Sequence, residues 1–133
     1  MYLIDTNICI YLINKRDTAL RERIEAESPY EIAVSSVTVG ELEYGVAKSA
    51  RLDQNRSALQ QFLSAFAIVP FDDKDAEQFG MIPAALEREG WPIGPYDVQI
   101  AAQALARNWT LVTNNEREFR RIRGLTVVNW ASL

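Results

Sequence analysis

Short apolar runs alternate along this chain with longer stretches of helical periodicity. Tyr2-Leu3-Ile4, Ile32-Ala33-Val34-Ser35, Ala67-Ile68-Val69-Pro70, Trp109-Thr110-Leu111-Val112-Thr113 and Leu125-Thr126-Val127-Val128 are rich in strand formers and end in polar or turn-forming residues. Bounded apolar runs of this kind suit strands covered on both faces. Between them the pattern predicts helices over Ile8–Ile13, Asp17–Ala26, Val39–Ala50, Asp53–Phe66 and Asp73–Glu89, and one opened by Pro95 that carries Asp97, Ile100, Ala101, Ala104 and Leu105. The fourth of these places Leu52, Leu59, Phe62, Leu63 and Phe66 on one side. Asn114–Arg121 reads as a loop and short helix, and Leu125–Val128 as an edge strand. Strands that alternate with helices predict a single α/β domain over residues 1–133, built on a short, mainly parallel sheet.

Capping residues refine these boundaries. Thr6 or Asn7 is placed to cap the first helix, unless Asp5 does so itself. Ser36 or Thr38 is placed to cap the third, with Glu41 three residues after Thr38 at capping-box spacing. Pro83 falls inside the fifth helix, where proline costs about 3 kcal/mol, and predicts a kink or break. Gly90 is expected to end that helix, and residues 91–96 are too rich in proline and glycine to be regular.

Composition narrows the chemistry. The apolar share of 48% and charged share of 24% are those of an ordinary globular domain. No membrane-spanning run and no signal peptide is evident, and Cys9, the one cysteine, reads as a buried core thiol. A cytoplasmic, reducing location is therefore expected. The chain has no histidine, which removes histidine general bases, Ser-His-Asp systems and histidine zinc sites. An enzyme with this composition works with carboxylates, and its metal is a hard one with oxygen ligands. The net charge of −4 argues against a broadly basic nucleic-acid surface, although the distribution of charge matters more than its sum.

The carboxylates fall at strand ends and helix starts. Asp5 follows the first strand, Glu41 is expected in the first turn after the second, Asp97 opens the helix before the fourth, and Asn115 and Glu118 follow the fourth. In a parallel sheet these places share one edge, the edge where α/β folds bind ligands. Each alone is also explained by helix capping or solvation; together they are not. Clustered carboxylates raise one another's pKa unless a cation neutralises them, and Mg²⁺ or Mn²⁺ suits that task.

Four segments carry a resemblance. Leu3-Ile4-Asp5-Thr6-Asn7, then residues 35–45 (SSVTVGELEYG), residues 92–102 (PIGPYDVQIAA) and residues 111–119 (LVTNNEREF) occur in this order. They resemble the four motifs of PIN-domain ribonucleases, specifically the VapC toxins of type II (VapBC) toxin–antitoxin pairs. The resemblance spans nearly the whole chain. It implies a PIN-like three-layer sandwich in which Asp5, Glu41 and Asp97 match the shared acids that bind Mg²⁺ or Mn²⁺ and carry catalysis. The fourth metal position falls to Asn115, where many relatives have aspartate, or to Glu118. Thr113 and Asn114 would support the site, and Thr6 and Asn7 would position Asp5 or touch a phosphate. The resemblance further implies an endoribonuclease that cleaves RNA by metal-activated water, inhibited by a cognate VapB-like antitoxin, and a homodimer. The Pro-Ile-Gly-Pro and Thr-Asn-Asn patterns are similar to the group that cuts initiator tRNA in the anticodon stem-loop.

Basic residues that could meet RNA are few: Arg117, Arg120, Arg121 and Arg123 near Glu118, Lys15 and Arg16 after the first helix, and Lys48 and Arg51 beyond Glu41. Tyr44, Trp91 and Tyr96 are candidates for stacking on bases. The rival enzymatic reading is a metal-dependent phosphatase or phosphotransferase with Asp5 as nucleophile. It wants an acid two residues on, where Asn7 stands; a receiver-like domain would want a lysine on a late strand, whereas the last lysine is Lys74. A non-catalytic RNA-binding PIN module is the other alternative, and the three intact acids disfavour it.

Overall fold

A computed structural model describes residues 1–88 and 93–132. Five short strands, β1 (Tyr2–Ile4), β2 (Ile32–Ser35), β3 (Ala67–Val69), β4 (Thr110–Val112) and β5 (Thr126–Val128), form one sheet in the order β3-β2-β1-β4-β5. Every neighbouring pair is parallel. The strand order reverses around β1, so the ends of β1 and β4 border a topological switch point, the place where such sheets bind ligands.

The alternation of side chains along each strand divides the core in two. Leu3 pairs in register with Ala33 and Leu111, and Leu111 with Val127; all four face one core. Ile4 pairs with Val34 and Val112, and both face the other core. The first core is closed by α5 (Asp73–Arg88), α6 (Pro95–Arg107) and α7 (Glu116–Phe119), through Ile82, Leu86, Ile100, Ala101 and Phe119. The second is closed by α1 (Thr6–Ile13), α2 (Thr18–Glu25), α3 (Ser36–Ala47) and α4 (Leu52–Leu63), through Ile8, Cys9, Leu20, Ile24, Leu42, Val46 and Leu59. The result is the expected helix–sheet–helix sandwich, and Cys9 is a buried core thiol as anticipated.

Two capping expectations are corrected. Asp5, and neither Thr6 nor Asn7, caps α1: β1 ends at Ile4 and α1 begins at Thr6, so no linker residue remains to do it. Ser35, and neither Ser36 nor Thr38, caps α3 by accepting from the Val37 amide at 3.0 Å. The helix therefore starts three residues before the predicted Val39, and Glu41 lies in its second turn rather than its first. The Thr38–Glu41 capping box does not form. The break expected at Pro83 is also absent: α5 runs through it, held on both sides by the burial of Ile82 and Leu86. The readings at Glu89, Gly90, Trp91 and Pro92 lie outside the described residues.

A second acidic group stabilises the start of α5. Asp72 and Asp75 exchange hydrogen bonds with each other's backbone amides, at 3.1 and 2.9 Å. Arg107, at the end of α6, is ion-paired with the fully buried Asp75 and lies 3.3 Å from Asp72.

Candidate active site

Asp5 is fixed on three sides. Its backbone amide donates to the Val112 carbonyl at 3.1 Å, extending the β1–β4 ladder by one rung. Its Oδ1 accepts from the Ile8 amide at 2.9 Å, which caps α1. Its Oδ2 accepts from the Thr113 hydroxyl at 2.5 Å. A carboxylate has acceptor capacity to spare after two such bonds, so capping does not exclude Asp5 from other chemistry. The residue is only 3% exposed yet lines an open cleft. Burial pushes its carboxyl up to about 6. The bonds from Thr113 and Ile8 oppose that rise, and the negative charges of Asp97 and Glu41 add to it.

Glu41 reaches the same cleft from α3. Its Oε1 accepts from the Thr6 hydroxyl at 2.7 Å, and the Thr6 oxygen lies 3.0 Å from the hydroxyl of the buried Thr38. A chain of three side chains thus fixes Glu41 relative to the first turn of α1. Thr6 was expected to position Asp5 or contact a phosphate; its hydroxyl holds Glu41 instead. Thr38 escaped the sequence reading except as a cap. Its spacing of three from Glu41, which places both on one helix face, is the signal that was available.

Asp97 stands in the first turn of α6, half-buried, behind Pro95 at the position where proline starts a helix most readily. Its carboxyl is raised by burial, then by the charges of Glu41 and Glu118. Asn115 enters the cleft from the N-terminal end of α7 and makes no side-chain capping bond there. Glu118 is not among the cleft-lining residues and acts on Asp97 through its charge.

Together Asp5, Thr6, Asn7, Glu41, Asp97 and Asn115 line a cleft of about 360 Å³, walled by Ile10, Leu42, Gly45 and Phe119. The supporting residues lie behind it. Thr113 is fully buried and also accepts from the Asn115 amide at 2.9 Å, so one hydroxyl orders both Asp5 and Asn115. Asn114 turns away, donating to the Tyr11 hydroxyl at 3.1 Å. Arg117 is exposed, as are Lys15, Arg16, Arg51 and Arg123. Arg120 pairs with Glu116 at 2.8 Å, and Arg121 is half-buried. None of these cations lines the cleft.

Among the described residues no three acidic side chains are drawn together as a ready-made metal cage. Mg²⁺ is held by one or two carboxylates and waters rather than by an all-protein cage. The donor set fits a hard divalent cation on those terms: oxygen ligands only, two acids raised by burial and by neighbouring carboxylates, and no lysine or arginine among the described lining residues.

Comparison with known proteins agrees with this arrangement. The PIN domain family matches residues 2–125. Ribonuclease VapC2 of Rickettsia felis is 44% identical over 98% of both chains, and the tRNA(fMet)-specific endonuclease VapC of Shigella flexneri is 38% identical over 98% of both. The DNA-bound VapBC complex of Salmonella typhimurium contains a chain that superposes with a TM-score of 0.93 at 38% identity, over 98% of each chain. PIN-domain nucleases are divalent-metal-dependent hydrolases. With a parallel five-stranded sandwich, acids at its switch point and relatives matching end to end, this chain belongs to the PIN-domain family, among the VapC ribonucleases.

Proposed function

We propose that the chain is the toxin of a VapBC pair and hydrolyses phosphodiester bonds in RNA at the Asp5–Glu41–Asp97 cleft. One observation carries this reading. Three carboxylates held by separate elements face one cleft with no cationic side chain among its described lining residues, and Asp5 is buried there against its own charge. Asp5, Glu41 and Asp97 would hold Mg²⁺ or Mn²⁺, with Asn115 completing the set and Glu118 at the rim. Such a cation supplies an activated water and offsets charge on the phosphate. The protein's part is orientation. Thr113 aims Asp5, the Thr38–Thr6 pair aims Glu41, and the exposed Asn7 amide at the cleft edge is placed to donate to a phosphate oxygen. A phosphotransferase with Asp5 as nucleophile would want an acid two residues on, and Asn7 stands there.

The substrate we infer is tRNA, the initiator tRNA cut in its anticodon stem-loop. The relatives from Shigella flexneri and Salmonella typhimurium, 38% identical, are tRNA(fMet)-specific endonucleases. The partner is a cognate VapB-like antitoxin, as in the VapBC complexes of Rickettsia felis and Salmonella typhimurium. An arginine of that antitoxin, placed bidentate on the uncompensated carboxylates, would block the site. The toxin acts as a homodimer in the cytoplasm; no described helix is long and apolar enough to cross a membrane.

The test is cleavage of initiator tRNA by purified protein with Mn²⁺, with EDTA, and by Asp5→Asn and Asp97→Asn variants that keep the native circular dichroism. EDTA and each substitution should lower the rate at least about a hundredfold, the scale of losing one electrostatic element of an active site. Full activity in EDTA or in either variant refutes the mechanism. Cleavage of other RNAs at the same rate refutes the substrate alone.

A further inference from the structure

Beside the acidic cleft lies a second one that the catalytic reading does not use. It is lined by Val37, Gly40, Glu41, Tyr44, Tyr96 and Gln99, between α3 and α6. Glu41 belongs to both clefts, so they meet at a catalytic acid. Tyr44 and Tyr96 are 67% and 56% exposed, too open for core packing to explain them. Each is tied to the site by the chain itself. Tyr44 is three residues beyond Glu41 in α3, on the same helix face. Tyr96 immediately precedes Asp97 in the first turn of α6. The ammonium of Lys48 sits 4.8 Å from the centre of the Tyr44 ring. A Cβ added at Gly40 would meet nothing within 4 Å, so the cleft is open at that lining position.

We propose that Tyr44 and Tyr96 form a base-stacking platform beside Glu41, on which an unpaired nucleotide next to the scissile phosphate lies flat. The inference rests on the ribonuclease reading above and adds how the RNA is held. Proteins that read single-stranded RNA splay out unstacked bases and receive them on aromatic faces. A platform of this kind takes bases in single-stranded loops and rejects a duplex, whose bases are already stacked. It also supplies affinity from neutral groups, which an acidic chain with no cation lining its cleft needs. Lys48 lies over one face of the Tyr44 ring, so the base takes the other face and the ammonium meets a phosphate of the stacked nucleotide.

The test uses the full chain carrying Asp97→Asn, which binds without cutting, and a hairpin RNA with 2-aminopurine in its loop. The parent should bind the hairpin and quench the 2-aminopurine by stacking. Adding Tyr44→Ala or Tyr96→Ala should raise Kd about tenfold each and abolish the quench, the scale of one lost base–aromatic stack. Tyr44→Phe and Tyr96→Phe should behave as the parent, and Tyr44→Leu, which keeps bulk without an aromatic face, should behave as Tyr44→Ala. Alanine or leucine variants that bind and quench like the parent overturn the platform and leave the ribonuclease reading standing. Alanine variants that lose self-association by light scattering at unchanged RNA affinity overturn it too, and assign the rings to contact between copies. With the hairpin given the sequence of the initiator-tRNA anticodon stem-loop, failure of wild type to cut either it or the whole tRNA in Mn²⁺, together with no binding by the parent, brings down the ribonuclease reading and the platform with it.

Discussion

Two acidic groups in this molecule have opposite electrostatics. At the start of α5, Asp72 and Asp75 share Arg107, and Asp75 also lies 3.5 Å from the Gln103 amide. The Asp75 amide, then Arg107, holds the Asp72 carboxyl below its usual range. At the switch point, Asp5 and Asp97 are raised, first by burial and then by neighbouring carboxylates. The chain therefore knows how to neutralise a buried acid, and it supplies an arginine 32 residues away to do so. Among the described residues it supplies none at the cleft. An acid that serves only the fold is answered by the fold; acids left unanswered await a charge from outside.

The sharpest way to break this contrast is to remove the internal cation. Arg107→Ala should destabilise the protein by about 3–5 kcal/mol in urea unfolding, because Asp75 is left charged and unpaired in the core. The double variant Arg107→Ala with Asp75→Leu should recover much of that loss. If Arg107→Ala alone is neutral, the Asp75 pair is not a built-in counterpart to the cleft.

Acidity distinguishes the two groups next. Asp5 titrates near 6 when folded and near 3.8 when ordinary, so the folded state holds the proton more tightly. Its penalty is absent below about pH 3.8, grows as pH rises to about 6, and is complete above that. The shift corresponds to about 3 kcal/mol at neutral pH. Asp72 works in the other sense, stabilising at neutral pH and losing that contribution as pH falls through its lowered value. Metal-free Asp5→Asn should therefore be more stable than wild type at pH 7 by up to about 3 kcal/mol, with the advantage vanishing towards pH 4. Denaturant midpoints across that range measure it, and a constant difference would contradict the assignment.

A cation from outside should then do at the cleft what Arg107 does at α5. Mn²⁺ at a hundredfold excess over its dissociation constant should stabilise wild type by about 2.7 kcal/mol. Arg107 variants should show the same increment from their lower baseline, since the two groups are separate sites.

The two groups also differed in legibility. The acids of the cleft were readable because buried strands are continuous apolar runs, and an acid at the end of such a run has a known place in a parallel sheet. Asp5 looked like a choice between a cap and a site residue; a carboxylate has two oxygens, and the residue caps α1 with one while it lines the cleft. What escaped was long-range pairing. Arg107 is 32 residues from Asp75, and Thr6 is 32 residues from Thr38, distances at which no local pattern signals contact. Ser36 and Thr38 were the candidates for the α3 cap, and Ser35, read as the end of the strand, serves instead; that hid the start of the helix and with it the turn that carries Glu41. Asn115 had the position and Glu118 the charge for the fourth place, and only the path of α7 brings Asn115 into the cleft.

The central claim is that the cleft carboxylates repel one another until a divalent cation joins them. Thermal melts of wild type and Asp97→Asn, each in EDTA and in Mn²⁺ at pH 7, test it most directly, because the substitution removes one repelling charge and one ligand together. The account predicts that Asp97→Asn melts higher than wild type in EDTA and gains less from Mn²⁺. A variant that melts lower in EDTA and keeps the full Mn²⁺ shift would make Asp97 a helix-start residue of α6 and contradict the account.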